Sequence, residues 1–372
     1  MKILYVSCHS RLQETETQVL RNLGHEVTVV EPSDSSNDAN VSGYDVILVC
    51  HRIDWMNANR KQVNSLKQKI VYRSVGQSTP YLEDQLRQMR EANQIKIVRM
   101  SPTESHSKSF HYMCPETNKL YSNAGTDAFV RCPTEHKPAW RGGNNRVCAF
   151  SNHVHDRLEH VKYKYIEYIL GRNDGLLYGW GNEDKNLSVE TQGLSLEDVS
   201  NAMEEADVVF FTGTWPSPYT LSLMELLNVG TPIISIGPGL FYKDMTYWGD
   251  TFEVPNILSA YKCGFWSDDL DELDKAVKDL LEDKKVRQEM SNNARKAGKE
   301  LFGETSVEEQ WKVALDIIMS EVSVPNYSVN NFTIGTRTGQ NVSSDFSIQA
   351  KGVELEWDDQ FMETPSILRN NQ

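Results

Sequence analysis

No part of this 372-residue chain approaches the run of about 18 uncharged apolar residues that a membrane-spanning helix needs. The opening strand-like segment, Lys2 to Ser7, is short and followed by polar residues, which excludes a secretory leader by pattern. Six cysteines, at 8, 50, 114, 132, 148 and 263, make no Cys-x-x-Cys pair, and Cys50 and Cys148 fall inside apolar runs. Buried thiols in a reducing compartment are therefore expected, and a zinc site is not. Basic charge is scarce: 38 Lys and Arg face 52 Asp and Glu, a net charge of −14. That balance argues against a non-specific polyanion binder while leaving room for a local basic groove. No polybasic helix supports attachment to a membrane surface. A cytoplasmic protein is expected.

What is present is enough for two packed interiors. Apolar residues are 39% of the chain, and the length suits two domains with an appendage. Lys2 to Ser7 reads as a strand, Glu14 to Leu23 as a helix stopped by Gly24, and Glu26 to Val30 as a β-branched strand. Tyr44 to Cys50 is continuously apolar, as in a strand covered on both faces. Lys69 to Tyr72 and Ile95 to Arg99 repeat the pattern around a charged helix, Tyr81 to Ala92. From Cys132 to Asn145, prolines and glycines interrupt a polar, basic stretch, the best linker candidate. A second alternating series follows, with strands at 146–150, 175–178, 207–212 and 232–236 and helices at 161–170, 196–206 and 221–228. Three amphipathic helices, at 270–281, 286–300 and 307–322, close it. Such alternation predicts two parallel, doubly wound α/β domains, 1–135 and 136–324, with an extension of unassigned role at 325–372.

The most informative stretch lies between Asp207 and Lys243, where Glu225 is the only charged residue in 35 positions. Its neighbours Leu223, Met224, Leu226 and Leu227 are apolar, so its carboxylate is costly to desolvate without a partner. A buried glutamate satisfied by backbone amides or a structural arginine would explain it equally well. The preceding Thr214-Trp-Pro-Ser-Pro-Tyr-Thr220 tips the balance, because it joins a strand to this helix. Ser217 reads as the N-cap with Pro218 at the first helical position. Unpaired amides from Tyr219 to Ser222 would then favour a phosphate, with Glu225 leaning back toward the same end of the helix.

Ser217 to Ile234, SPYTLSLMELLNVGTPII, resembles the donor motif E-x-F-G-L-x-x-x-E-A-M-A-x-G-x-P-V-V of the retaining GT-B glycosyltransferases of family 4. Asn123-Ala-Gly-Thr-Asp127 with Phe129 and Pro133 is similar to that family's linker motif, and Leu177-Tyr-Gly-Trp-Gly181 to its L-x-I-x-G-x-G turn. Val147 to Phe150, Leu280 to Asp283 and Asn293 to Arg295 add weaker pieces, so the likeness spans about 1–320.

The resemblance implies two Rossmann-like domains facing across a cleft, with a nucleotide-diphosphate sugar on the C-terminal one. It gives Glu225 the donor ribose and the amides near Thr220, Leu221 and Ser222 the diphosphate. It assigns the phosphate-gripping cation to Arg157 first, then Lys162 or Lys164, and sets the base near Gly181 and the Gly193-Leu194 turn. For both lysines an ordinary solvated helix face is an equal alternative. Two departures stand out: Ser217 replaces a glutamate that touches the transferred sugar, and Arg73 replaces an N-domain histidine. Arg73 is then expected to stabilise phosphate charge.

His51, at the end of its strand, is a further cleft candidate, with a plain strand-end hydrogen bond as the alternative. His9, Ser10, Arg11 and Gln77 are expected to meet the sugar or acceptor. The resemblance implies retaining transfer with no cofactor, and the lack of an Asp-x-Asp pair at a C-domain strand end fits metal independence. The acceptor stays open among small molecules, glycans, proteins and a modified DNA base, for which Arg52, Arg60, Lys61, Lys67, Lys69 and Arg73 would form a basic stripe. Loss of the motif glutamate also fits a catalytically silent nucleotide-sugar-binding protein.

Overall fold

The computed structural model describes residues 1–31, 41–59, 69–92, 95–105, 112–114, 119–121, 123–135, 137–182, 187–245 and 251–320. Arg60, Lys61, Lys67 and the 325–372 extension lie outside the described residues.

Two six-stranded sheets dominate. The first contains β1 (Lys2–Val6), β2 (Glu26–Val30), β3 (Val46–Cys50), β4 (Lys69–Arg73), β5 (Lys96–Arg99) and β8 (Ala128–Phe129). Their order is β2-β1-β3-β4-β5-β8, all parallel. A short antiparallel ribbon, β6 (Tyr112–Cys114) with β7 (Lys119–Tyr121), stands apart from it. The second sheet contains β9 (Val147–Phe150), β10 (Leu176–Tyr178), β11 (Glu190–Gln192), β12 (Val208–Phe211), β13 (Ile233–Ile236) and β14 (Gly264–Ser267). It runs β11-β10-β9-β12-β13-β14, again all parallel.

Composition explains the order. β3 and β12 are apolar throughout, β13 has one serine, Ser235, and all three are buried along their whole length, as interior strands covered on both faces must be. β2, β11 and β14 carry exposed residues and lie at the edges. In each sheet the chain first winds one way and then returns past its first strand. The reversal falls between β1 and β3 in one sheet and between β9 and β12 in the other. Loops at the carboxyl ends of those strand pairs form the crevice in which such sheets take ligands.

Helices cover both faces of the first sheet. α1 (Ser10–Asn22) follows β1, α2 (Ile53–Ala58) follows β3, and α3 (Pro80–Glu91) follows β4. Thr79 caps α3 by accepting from the Leu82 amide at 3.2 Å, with Pro80 at the first position. In the second half, α4 (Tyr163–Arg172), α5 (Leu196–Glu205), α6 (Leu221–Val229), α7 (Pro238–Phe241), α8 (Val254–Tyr261) and α9 (Leu270–Glu282) alternate with the strands. The long α10 (Lys284–Phe302) lies along α6, and α11 (Glu304–Met319) crosses back to the first half, packing on α1, β4 and β8. Asn22 Nδ2 donates to Glu304 at 2.6 Å and Glu308 at 2.9 Å, and Gln310 accepts from the Arg131 amide at 2.8 Å.

The linker is held as firmly as the sheets. Trp140 Nε1 donates to the Ala206 carbonyl at 2.7 Å, and a parallel bridge pairs Thr134 with Gly303. Cysteines 8, 50, 132, 148 and 263 are buried free thiols, as their apolar settings predict. Among the described residues no helix is long and apolar enough to cross a membrane.

Candidate active site

The site is built where the second sheet reverses. β9 and β12 end side by side, and α6 starts just beyond β12. Ser151, Thr212, Gly213, Thr214, Thr220 and Ser222 line a small polar-rimmed cavity there, floored by Phe150 and Phe210. One local expectation is corrected. The N-cap of α6 is Thr220, whose Oγ1 accepts from the Leu223 amide at 3.4 Å, and not Ser217. Ser217 sits in the preceding turn, 5% exposed, its amide bonded to the Thr214 carbonyl at 2.8 Å. The chain stays in a turn through Ser217 to Tyr219 and the helix begins at Leu221, so the first-turn donors next to the cavity are those of Leu221 and Ser222.

Glu225 lies one turn further on, 9% exposed. Its carboxylate pairs with the Arg11 guanidinium, which is 42% exposed and comes from the first turn of α1 in the other half. The pair therefore spans the crevice instead of turning away from it. His9, the residue before α1, gives its helix no side-chain cap, and its Nδ1 is buried without a hydrogen-bond partner among the described residues. Burial first, then the Arg11 charge, holds the His9 pKa below the usual value, so the ring is neutral near pH 7. Ser10 is exposed at the same helix start.

The two halves meet closely around this point. The loop after β4 brings Gly76 against Pro218: a Cβ on Gly76 would stand 2.4 Å from the proline ring, and the backbone φ of +78° favours glycine in any case. Gln77 is half-buried beside it. Tyr219 Oη donates to the Met100 carbonyl at 2.6 Å, and Ser101 Oγ donates to Glu253 at 2.6 Å. A buried Arg131–Glu253 ion pair completes the clasp, with the guanidinium 5.6 Å from the Tyr219 ring. Tyr219, Arg131 and Glu253 were not picked out from sequence. Tyr219 was legible only as a helix-start residue, and nothing local marks a tyrosine that bonds a distant carbonyl.

Arg157 follows β9 in a short 3-10 turn, half-buried, with Nη2 on the Asn152 carbonyl at 2.6 Å. Its Nε is buried without a partner among the described residues, and desolvation lowers its pKa. The 157–162 segment abuts the cavity, because the Val161 carbonyl accepts from Thr212 Oγ1 at 2.7 Å and the His160 carbonyl from the Trp215 amide at 2.8 Å.

The two lysines are committed elsewhere. Lys162 is 1% exposed with Nζ on the Lys243 carbonyl at 3.1 Å, and burial, reinforced by Lys164, lowers its pKa to about 8. Lys164 is a surface residue paired with Asp244 at 2.8 Å. Gly181 is left-handed at φ +77°, and a Cβ there would come within 2.4 Å of the His153 ring. Its loop is clipped to the one after β9: the Trp180 amide donates to Asn152 at 3.0 Å and the Val154 amide to Asn182 at 2.9 Å. Trp180, which sequence reading passed over, projects there 49% exposed, edge-on to His153 with ring centroids 4.6 Å apart.

Arg73 is the largest correction. It does not reach the crevice. Its side chain is wholly buried under β4, with Nε on Glu16 at 2.8 Å, Nη2 on Cys132 Sγ at 3.6 Å, and the guanidinium 5.7 Å above the Trp311 ring. Glu16 also accepts from Tyr5 Oη at 2.7 Å, so the ion pair is fully hydrogen-bonded inside the first half. The described members of the expected basic stripe, Arg52, Lys69 and Arg73, do not come together. Arg52 pairs with Asp54 at 2.9 Å beyond the carboxyl end of β3, while Lys69 starts the neighbouring β4 at the opposite, amino end of the strands. His51 ends β3 with Nδ1 2.8 Å from Tyr72 Oη, and burial lowers its pKa to about 4.

No protein-family model and no curated protein matches the sequence. Solved structures do. The chain is similar to HepE of Anabaena in complex with UDP, with TM-score 0.57 and 14% identity over 85% of this chain and 100% of that one. It is also similar to an alpha-glucosyltransferase in complex with UDP and a 13-mer DNA containing an HMU base, with TM-score 0.57 and 12% identity over 86% and 100%. A glycosyltransferase from Rickettsia africae gives TM-score 0.57 and 12% identity over 86% and 99%. At such identities the likeness speaks for architecture: two Rossmann-like α/β domains with parallel sheets, the GT-B fold.

Proposed function

We propose that this chain is a glycosyltransferase that takes its sugar from a nucleotide-diphosphate donor. The 136–324 half holds the donor and the 1–135 half presents the acceptor. The observation that carries the reading is Glu225, a lone carboxylate one turn inside α6 at the reversal point of the second sheet, beside the Leu221 and Ser222 amides. Amides at a helix start take a diphosphate, and a carboxylate beside them takes a ribose diol. Arg157 is the first cation for the leaving phosphates, since its Nε has an unused donor. Trp180 and Gly181 border the base. That UDP occupies two of the similar proteins supports the same seat here.

In this reading the acceptor hydroxyl attacks from the face the diphosphate leaves, with retention. Helix amides and guanidinium groups stabilise the departing charge without a metal, and the donor is a co-substrate with no resident cofactor beside it. The test is a thermal-shift panel of sugar nucleotides, followed by product analysis and NMR of the new anomeric linkage. Absence of any nucleotide response would overturn the proposal.

One observation favours a second reading. Ser217 is buried and turned into its own loop, so no acid from that position meets the transferred sugar. A protein that binds the donor and never releases free sugar or product would be a nucleotide-sugar-binding module.

A further inference from the structure

We propose that Arg11 is a donor-phosphate ligand parked on Glu225, and that nucleotide entry exchanges it from the carboxylate to the diphosphate. The inference rests on the donor reading of α6 and extends it with a second residue, from the opposite half.

Glu225 has little open surface: its side chain is 12% exposed, and the Arg11 guanidinium covers that face. A ribose diol that bonds to this carboxylate through Oε1 must displace the guanidinium. Arg11 is 42% exposed, on the first turn of a surface helix, and only Glu225 pairs with it among the described residues. It is therefore free to swing. Glu225 follows Leu221 and Ser222 by four and three positions, so all three face one side of α6, and its side chain leans toward the helix start. A guanidinium on that carboxylate already stands beside the first-turn amides. Released from the carboxylate, it can turn to a phosphate at that helix start, which its planar fork suits better than a lysine would. His9 Nδ1, two residues away, is buried without a hydrogen-bond partner among the described residues.

The exchange makes the crevice selective by charge. A nucleoside without phosphates breaks the Arg11–Glu225 pair and offers the cation nothing. A nucleoside diphosphate breaks the same pair and gives the guanidinium a stronger, doubly charged partner. Removing Arg11 therefore acts with opposite sign on the two ligands, which a structural contribution of the pair would not do.

The experiment titrates UDP and uridine into wild type, Arg11→Ala and Arg11→Lys by ligand-observed NMR and calorimetry, with thermal melts to check the fold. Arg11→Ala should weaken UDP by about tenfold, as loss of one charge-assisted phosphate contact does. It should tighten uridine by about threefold, as release from one partly exposed ion pair does. Arg11→Lys should restore part of the preference for UDP. Parallel weakening of both ligands, or no change in either, overturns the exchange while leaving the donor site standing. If UDP does not bind, the nucleoside diphosphate that does bind in the sugar-nucleotide panel and its nucleoside replace the pair, and failure of wild type to bind any of them overturns the donor reading, and the exchange with it.

Discussion

Both sheets are all-parallel and reverse beside their first strand, after two strands in the first half and three in the second, yet their strand ends are finished differently. In the first half, four ionisable groups on or next to the strand ends are satisfied within that half. Arg73 is locked to Glu16, Arg99 to Glu83 at 2.7 Å, His51 to Tyr72, and Glu104 accepts from the Met100 and Ser101 amides at 2.9 and 3.0 Å. In the second half, the equivalent edge shows an uncapped pair of helix amides, an arginine with a spare donor, and a carboxylate partnered only from across the gap. Charge at a strand end is thus no mark of a site by itself. Unused hydrogen-bonding capacity is the better mark, because a buried group that is already paired has nothing to offer a ligand.

Substitutions can break or sharpen that contrast. Arg73→Ala should have the largest effect, about 3–5 kcal/mol of stability, since it strands Glu16 as an uncompensated buried charge. Urea unfolding measures it, and nucleotide affinity of the protein that remains folded should be unchanged. A selective loss of binding at full stability would return Arg73 to the site. The His51 imidazole is the next largest. Its pKa of about 4 lies below the unfolded value, so the unfolded chain binds a proton that the folded protein refuses. Its contribution is complete above about pH 6.5 and lost progressively toward pH 4, by about 3 kcal/mol. His51→Asn, which tolerates the left-handed φ of +50°, should flatten that acid limb in melts from pH 7 to 4.

In the second half the readout moves from stability to binding. Glu225→Ala should weaken UDP about 10- to 100-fold, the range for losing charge-assisted hydrogen bonds of about 1.5–3 kcal/mol, with only a modest change in melting temperature. Gly181→Ala comes next, at about 1–2 kcal/mol of loop strain, because the new Cβ meets the His153 ring and adopts a left-handed backbone. It should raise the Kd for UDP more than it lowers stability. Lys164→Ala should be smallest, under about 0.5 kcal/mol in either assay, as expected for an exposed ion pair. A large binding loss there would show that the second half keeps its phosphate cations on α4 after all.

Much of the architecture could be read from the chain alone. β3 and β12 are apolar without interruption, Gly24 stops α1, and the Leu221–Val229 helix falls within a residue of its expected span. Local pattern carries such features, because period and capping are properties of neighbouring residues. The site was less legible, for a physical reason. Whether Arg73 points into a crevice or into a core depends on Glu16, 57 positions away. The one available signal was that Glu16 lies on the apolar stripe of α1, between Leu12 and Val19, where a carboxylate needs a buried cation. Arg11 and Glu225 were both picked out by sequence, but 214 positions separate them, and only the fold brings one onto the other. The Ser217 cap was misplaced because Pro218 suits a first helical position as well as a turn, and the turn is what the following residues dictate.

The chain crosses between halves twice, once through the linker near Thr134 and once where α10 gives way to α11 at Gly303, and these two points are bridged to each other. Two crossings pinned side by side act as a single pivot. Any opening of the molecule is then a rotation about that spot, with sliding or twisting apart suppressed and the travel growing with distance from it. Loosening the pin, by a proline at Thr134 that removes its amide bond to Phe302, would change how wide the jaws swing while leaving untouched every group that grips.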